Sequence, residues 1–160
     1  MTNSTINESE VEKFTNLANE WWKYDGKFKT LHKFNPVRLE FIINQIKKNF
    51  NISNIEGKPL AGLKILDIGC GGGLICEPLA RLGAEVTGID AVEKNIKSAQ
   101  IHANQNALNI NYKLSAVEEL PNNKYDIILN LEVIEHVNNQ KLFISKSCEL
   151  VNHGGLMFVA

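Results

Sequence analysis

The sequence lacks the patterns that are typical of disulfide frameworks, zinc sites and membrane spans. It has three cysteines, Cys70, Cys76 and Cys148, and none of them is in a Cys-x-x-Cys spacing. Neither a structural zinc site nor a disulfide framework is therefore expected, and the three are interpreted as reduced thiols of a cytoplasmic protein. No apolar run approaches the roughly 20 residues of a membrane span, and the polar segment from Thr2 to Glu10 does not predict a secretory signal.

A strong charge of either sign is also absent. The formal net charge is −1 at pH 7 and no cluster of Lys and Arg stands out, which argues against a general nucleic-acid-binding protein. What the sequence does have is 160 residues, of which 44% are hydrophobic and 22% charged. These values are ordinary for a soluble globular protein, and the chain is long enough for one domain with a substantial core.

The spacing of apolar residues predicts two helices in the first third of the chain. Residues 8–24 place apolar side chains on one stripe at helical spacing, namely Val11, Phe14, Leu17, Ala18 and Trp21. A second helix is predicted over residues 36–50, with Asn35 as its N-cap and Pro36 in its first turn. These helices form an N-terminal helical arm or cap.

After this arm, which is assigned residues 1–56, strands and helices alternate in a core of residues 57–160. Strands are predicted at 64–68, 85–89, 112–116, 125–129 and 156–160, helices at 74–82, 93–107 and 139–151, and a turn at 152–155. The alternation predicts an α/β fold with a Rossmann-like, doubly wound parallel sheet. The last strand has nothing after it to pair with, so we expect the C-terminal strands of the sheet to be missing. The chain is expected to be the N-terminal part of a longer protein or a shortened gene product.

The most informative segment is the run DIGCGGG at residues 67–73, between the first strand and the first helix of the core. Without Cβ atoms, a glycine backbone can adopt positive φ and let a ligand approach its amides. Asp90 comes 21 positions after Gly69 and ends the second strand, so it is expected at the same edge of the sheet. In α/β units an acid in this place binds the two hydroxyls of a ribose.

The spacing of these glycines excludes two other nucleotide-binding loops. The dinucleotide motif Gly-x-Gly-x-x-Gly would need a glycine at Leu74, and no Lys-Ser or Lys-Thr follows as in a P-loop. The spacing that fits is Asp-x-Gly-x-Gly-x-Gly, which resembles the S-adenosylmethionine loop of class I methyltransferases. A glycine-rich turn without a ligand is the alternative, although successive glycines weaken a turn that does not need them.

A second group of polar residues lies in LEVIEHV at residues 131–137, after the fourth strand. Ligands bind beyond the carboxyl ends of the strands in doubly wound sheets, so Glu132, Glu135 and His136 are expected at the same edge as Asp90. Their spacing of three and four predicts one face of a single helical turn. Two interpretations stay open from spacing alone: a site for Mg²⁺, Mn²⁺ or Zn²⁺, or a solvated, acidic first turn of a helix.

Further motifs narrow the resemblance to one family. They are the Trp-Trp pair at 21–22, FKTLH at 28–32, NPVRL at 35–39 and EVIEHV at 132–137. Together with the glycine run they resemble the family of ubiquinone-biosynthesis O-methyltransferases over essentially the whole chain. Members of that family methylate a polyprenyl catechol and a later demethyl-ubiquinol.

The resemblance implies roles for individual residues. Those that would bind S-adenosylmethionine are Arg38, Gly69, Gly71, Asp90 and Leu131. Those that would act in catalysis, and would hold Mg²⁺ or another divalent cation as in mitochondrial relatives, are Glu132, Glu135 and His136. Arg38 would receive the methionine carboxylate from the first turn of its helix, and Asp90 would bind the ribose.

The reaction implied by the resemblance is transfer of a methyl group to a catechol or demethyl-ubiquinol hydroxyl. Deprotonation would be assisted by the cation or by His136 or Glu135 as a general base. Two alternatives stay open: a shortened protein that binds S-adenosylmethionine without activity, and a methyltransferase for a small phenol of another pathway. The expected location is the cytoplasm, with peripheral contact at the inner face of the membrane and with a quinone-biosynthesis complex, and no nucleic-acid partner is expected.

Overall fold

One parallel sheet organises the core of the protein. The computed structural model describes residues 4–53 and 56–160. In that part of the chain the strands are β1 (Lys64–Ile68), β2 (Glu85–Asp90), β3 (Asn111–Leu114), β4 (Tyr125–Asn130) and β5 (Val151–Val159), in the spatial order β3-β2-β1-β4-β5. The α-helices are α1 (Glu8–Leu17), α2 (Lys29–Asn49), α3 (Cys76–Arg81), α4 (Glu93–Gln105) and α5 (Gln140–Glu149). The doubly wound α/β fold expected from the sequence is confirmed.

Helices cover both faces of the sheet because its central strands are apolar on both faces. Ile127, Ile128 and Leu129 of β4 are fully buried. Ile127 and Leu129 pack in the same apolar cluster as residues of α2, α3 and α4, whereas Ile128 packs with Phe143 of α5 on the other face. A continuous apolar run is what a strand buried on both faces requires.

The strand order reverses between β1 and β4. From β1 the chain passes through α3 to β2 on one side, and from β4 it passes through α5 to β5 on the other. In doubly wound sheets a crevice opens beyond the carboxyl ends of the strands at such a point. The glycine loop (residues 69–73), which follows β1, and residues 131–132, which follow β4, meet at this crevice.

The first helix of the arm is shorter than predicted. It ends at Leu17, and a 3₁₀ turn at Ala18–Glu20 follows it, so the continuous helix expected to residue 24 is wrong. Trp21 and Trp22 lie in the turn beyond and are not on a helical stripe. This bend directs both indoles toward the glycine loop.

The second helix of the arm is longer than predicted. It begins at Lys29, so the predictions of Asn35 as its N-cap and Pro36 in its first turn are wrong. Pro36 lies inside the helix, where it cannot donate to the carbonyl four residues earlier. The helix continues nevertheless because its inner face, with Ile42 and Ile46, is buried in the core. Neither α2 nor any other helix in the described ranges is long and apolar enough to cross a membrane.

The last strand is also longer than predicted. It begins at Val151, so the expected turn at residues 152–155 is wrong. Tyr125 of β4 pairs with Val151 and Ile127 pairs with Leu156, which leaves residues 152–155 as a bulge. Gly154 has φ +76° there. The Asn and Gly residues that predicted a turn before β5 therefore lie in a bulge within it.

Candidate functional site

The glycine loop turns sharply between β1 and α3. Three of its glycines have positive φ: +74° at Gly69, +54° at Gly71 and +86° at Gly73. Residues with a Cβ rarely adopt these values. The amides of Gly69 and Cys70 both donate to the carbonyl of Ile89 in β2, with N···O distances of 2.8 and 2.9 Å. The loop is therefore held against β2 in a conformation that requires glycine.

Asp90, at the end of β2, faces this loop. Its Oδ2 accepts a hydrogen bond from the Gly71 amide at 2.9 Å, and its Oδ1 accepts from the Val92 amide at 2.8 Å and from the Asn95 side chain at 3.3 Å. Burial raises the pKa of the Asp90 carboxyl, and these hydrogen bonds oppose the rise. The structure thus brings Asp90 and the loop together, as the sequence predicted.

A cavity of about 120 Å³ lies beside Asp90 at the carboxyl end of the sheet. This Asp90 cavity is lined on the sheet side by Gly69, Gly71, Asp90, Ser115 and Val117, and on the arm side by Glu10, Phe14 and Trp21. Glu132 and His136 also line it. Two of the three residues predicted for catalysis therefore share one rim with Asp90.

A smaller cavity of about 60 Å³ lies on the other side of the glycine loop. This Arg38 cavity is lined by Asn35, Arg38, Asp67 and Leu131 together with apolar residues. Leu131 is 8% exposed. Trp21, Gly69 and Glu132 line both cavities, so the Trp21 indole lies between them.

Trp21 is a site residue that sequence reasoning did not identify. Its ring stacks on Phe28, with centroids 3.7 Å apart and planes 2° apart, and its Nε1–H donates to Asn95 Oδ1 at 2.8 Å. A Cβ placed on Gly71 would lie 2.4 Å from the Trp21 ring. The glycine loop therefore lets the arm pack directly on it. The Trp-Trp pair was the available signal. It indicated a family resemblance but not where the two side chains lie relative to the glycine loop.

Trp22 packs on the same loop from a different side. Its Nε1–H donates to the Gly72 carbonyl at 3.0 Å, and its ring stacks on His102 at 3.4 Å between centroids. His102 Nδ1 lies 2.6 Å from Oε1 of the fully buried Glu77. The Trp22 indole thus packs on a histidine that is itself positioned by a buried glutamate.

Arg38 and Glu132 bind each other. Arg38 Nη2 lies 2.5 Å from Glu132 Oε1. Because α2 begins at Lys29, Arg38 lies in the third turn, and its predicted place in the first turn is wrong. Glu132 has φ +54°, a conformation that costs roughly 1–3 kcal/mol in a residue other than glycine.

The residues after β4 do not share one helical face. The turn there is a short 3₁₀ helix, Ile134–His136, which Glu132 precedes, so the predicted single face is wrong. His136 Nδ1 lies 2.8 Å from Glu10 Oε2, and His136 Nε2 lies 3.7 Å from Glu135 Oε1. The imidazole therefore stands between two carboxylates, one of them from α1.

Two of the three side chains predicted to hold a divalent cation have other partners. The carboxylate of Glu132 is engaged by the guanidinium of Arg38, and Nδ1 of His136 is engaged by Glu10. In the ranges that the structure describes, no group of three His, Cys, Asp or Glu side chains could hold a metal ion. The cation site at Glu132, Glu135 and His136 stays a prediction.

The Asp67 carboxyl and the thiols of Cys70 and Cys76 are buried together beneath the glycine loop. Burial raises the pKa of Asp67 to about 7; a hydrogen bond from the Cys76 thiol at 3.2 Å opposes the rise and the charge of Asp90 adds to it. Burial also raises the pKa of the Cys70 thiol to about 11. Cys70 is therefore a protonated, unreactive thiol at neutral pH, while Asp67 can accommodate a cationic neighbour in the Arg38 cavity.

Comparison with known proteins places the chain among methyltransferases. Ubiquinone biosynthesis O-methyltransferase from Pelagibacter ubique is 51% identical over 158 residues, and that from Mesorhizobium japonicum is 52% identical over 159 residues. Both alignments cover 98% of this chain, and 65% and 64% of the two relatives. The chain therefore spans just under two thirds of the length of the curated relatives it matches. The resemblance to this family is confirmed.

Solved structures agree with the fold. Magnesium protoporphyrin IX methyltransferase from Synechocystis, solved with bound S-adenosylmethionine, has a TM-score of 0.68 and 25% identity, covering 94% of this chain and 75% of that one. The DhpI complex has a TM-score of 0.70 at 18% identity, covering 98% and 66%, and shows the fold alone. The family model of the methyltransferase domain matches residues 66–159. The chain belongs to the methyltransferase-domain family.

Proposed function

We propose that the protein is an S-adenosylmethionine-dependent O-methyltransferase. Its substrates would be the catechol and demethyl-ubiquinol hydroxyls of polyprenylated intermediates in ubiquinone biosynthesis. The observation that carries the proposal is the hydrogen bond from the Gly71 amide to Asp90, beside a cavity at the carboxyl edge of the sheet. The names of the relatives and the donor bound in the Synechocystis enzyme support it.

The parts of the methyl donor correspond to the two cavities. Ribose hydroxyls would donate to Asp90, and each such bond to a charged acceptor contributes roughly 1.5–3 kcal/mol. The adenine would lie in the Asp90 cavity near Ser115, and the amino-acid end in the Arg38 cavity with its carboxylate on Arg38. Gly69 and Leu131 would then flank the sulfonium.

Binding of the donor would move Trp21. The cavities of about 120 and 60 Å³ are smaller than the roughly 300–1,000 Å³ of typical ligand sites, and Trp21 separates them. We therefore propose that residues 1–56 act as a cap on the core of residues 57–160. When the cap shifts, the cavities join, and Glu132 releases Arg38 to the incoming carboxylate.

The proposed chemistry needs a placed and deprotonated phenol. When bound, S-adenosylmethionine supplies a methyl group on a sulfonium leaving group. The protein must hold the phenol oxygen in line and about 3 Å from that carbon. Glu10 would fix the His136 ring through Nδ1, and Nε2 would take the phenol proton as the oxygen attacks. Glu135, whose Oε1 lies 3.7 Å from Nε2, would stabilise the positive charge that forms on the ring after proton transfer.

The location and partners follow from the proposed substrate. A polyprenyl tail resides in a membrane, so the proposal includes a cytoplasmic protein with peripheral contact at the inner face of the membrane. Contact with other quinone-biosynthesis enzymes belongs to the same proposal. The cation predicted at Glu132, Glu135 and His136 takes part in none of these proposed steps.

Calorimetry with S-adenosylhomocysteine and transfer of labelled methyl to a catechol with a short prenyl tail test the proposal. The protein should bind the ligand and methylate the catechol. His136→Ala and Glu135→Gln should each lower turnover by roughly 10²–10⁴-fold and leave S-adenosylhomocysteine affinity within a few-fold. His153→Ala, at an exposed position in β5, is the matched control and should behave as wild type.

Other results would redirect the assignment. Binding of S-adenosylhomocysteine without turnover on any catechol would favour a binding protein without activity. Turnover on simple phenols, with no preference for a prenylated one, would favour another pathway. Normal turnover by both His136→Ala and Glu135→Gln would remove these residues from catalysis.

A further inference from the structure

Asn35 carries a buried acceptor that nothing in the described structure satisfies. Its side chain is 7% exposed, and its Oδ1 has no hydrogen-bond partner among the described residues. Leaving a buried polar atom unpaired costs roughly 1–3 kcal/mol. Asn35 lines the Arg38 cavity, so a ligand in that cavity could supply the missing donor.

The position of Asn35 relative to Arg38 indicates which group of a ligand would donate to Oδ1. The two residues are three positions apart on α2, which makes them neighbours on one helix face. One offers a neutral acceptor and the other a guanidinium. This pair is complementary to a zwitterionic α-amino acid, with its ammonium on the acceptor and its carboxylate on the cation.

The charges around the cavity agree with a bound ammonium. Besides Arg38, its charged lining residues are Asp67 and Glu132, so carboxylates outnumber the cation. Burial raises the pKa of Asp67 to about 7, and a cation nearby would relieve that cost. Most of the remaining lining, including Leu31, Leu74 and Ile75, is apolar and offers no side-chain acceptor.

We infer that Oδ1 of Asn35 accepts a hydrogen bond from the α-ammonium of the methyl donor. Asn35 and Arg38 together then select a ligand with an intact amino-acid end. This inference rests on the proposed function and adds a specificity residue to it. It also explains why the helix keeps a polar side chain with an unpaired Oδ1 at a buried position next to Pro36.

The test compares S-adenosylhomocysteine with its deaminated analogue, in which hydrogen replaces the amino group, by calorimetry on the whole chain. Wild type should prefer S-adenosylhomocysteine by at least tenfold. Asn35→Leu, of similar size but without an acceptor, should lose about tenfold in affinity for S-adenosylhomocysteine and stay within twofold for the deaminated analogue. Asn35→Asp keeps an acceptor and should bind S-adenosylhomocysteine within about threefold of wild type. Asn44→Leu, exposed on the same helix, is the matched control.

A merely structural role for Asn35 predicts a different pattern. Asn35→Leu would then weaken both ligands equally, and this result, or unchanged S-adenosylhomocysteine affinity, overturns the inference while the proposed function stands. Wild-type protein that binds neither ligand overturns both. Asn35→Leu should not lower the Tm of the unliganded protein, because it removes an unpaired acceptor. If that variant does not fold, Asn35→Ala carries the same comparison of ligands.

Discussion

The guanidinium of Arg38 is bound by Glu132, a residue 94 positions later whose own backbone is left-handed. The pair joins the arm to the end of β4 across the Arg38 cavity. A carboxylate ligand that needs Arg38 has to compete with Glu132. The ion pair therefore links the arm to the core and occupies the guanidinium that such a ligand would need.

Glu132→Gln should make S-adenosylhomocysteine bind about two- to fivefold more tightly. The substitution removes the competing charge, and the gain is small because a partly exposed ion pair contributes at most about 1 kcal/mol. Calorimetry measures it, with Glu135→Gln as a control whose side chain faces His136. The gain should disappear in an Arg38→Met background. Weaker binding by Glu132→Gln would mean that Glu132 contacts the ligand itself.

Asp90→Asn should weaken S-adenosylhomocysteine binding about 10- to 100-fold. An amide retains the size of the carboxylate but loses the charged acceptor that ribose hydroxyls would use, each bond contributing roughly 1.5–3 kcal/mol. Asp126→Asn is the matched control because Asp126 lies near the opposite end of β4 and bonds to Lys64 and Asn152. Wild-type affinity in Asp90→Asn would place the ribose elsewhere.

Gly71→Ala should destabilise the protein through two separable effects. Its positive φ adds backbone strain of about 1 kcal/mol, and its Cβ would meet the Trp21 ring at 2.4 Å, an overpacking that typically costs about 1–3 kcal/mol. In a Trp21→Ala background only the strain should remain. Urea unfolding of the four proteins should therefore give a coupling free energy of at least about 1 kcal/mol.

Gly62→Ala is the control for that cycle. Gly62 also has positive φ, +83°, but nothing lies within 4 Å of a Cβ placed there. It should show strain alone and no coupling to Trp21. Equal coupling at both glycines would contradict direct packing of Trp21 on the loop.

Asp67→Asn should stabilise the protein more at pH 8 than at pH 5. Burial raises the folded-state pKa of Asp67 to about 7, above the unfolded value of 3.8. The folded state therefore binds the proton more tightly, and this residue's contribution to stability falls as pH rises from about 4 to 7. The difference between the two pH values should exceed about 1 kcal/mol, since a tenfold change in proton affinity corresponds to about 1.4 kcal/mol.

The measurement is urea unfolding of wild type and variant at both pH values. Asp25→Asn, at an exposed position, should show no such difference. An effect of Asp67→Asn that is the same at pH 5 and pH 8 would mean that Asp67 is ionised throughout this range.

The core was predictable because its signals are local. Short apolar runs separated by helical periodicity fix the order of elements, and parallel strands bring their carboxyl ends to one edge. That rule alone placed Asp90 beside the glycine loop. It also placed Glu132 and His136 on the same rim, although it could not show that Glu132 would bind Arg38.

The rest depends on contacts between distant segments. The start of α2 was misjudged because Pro36 is a local signal, whereas burial of Ile42 and Ile46 in the core decides the helix. The prediction of a shared helical face after β4 is wrong because periodicity does not reveal a residue with left-handed backbone such as Glu132. Whether an amide such as Asn35 is paired cannot be known before its surroundings are known.

The chain has two tryptophans, and both rest on the same stretch of backbone. The Trp21 ring packs against Gly71 and Gly72, and the Trp22 indole is bonded to the Gly72 carbonyl and stacked on His102. All indole fluorescence of this 160-residue chain therefore originates from two residues that pack on the glycine loop. Emission wavelength and acrylamide quenching therefore report when the arm moves away from the glycine loop, without any dye or engineered label.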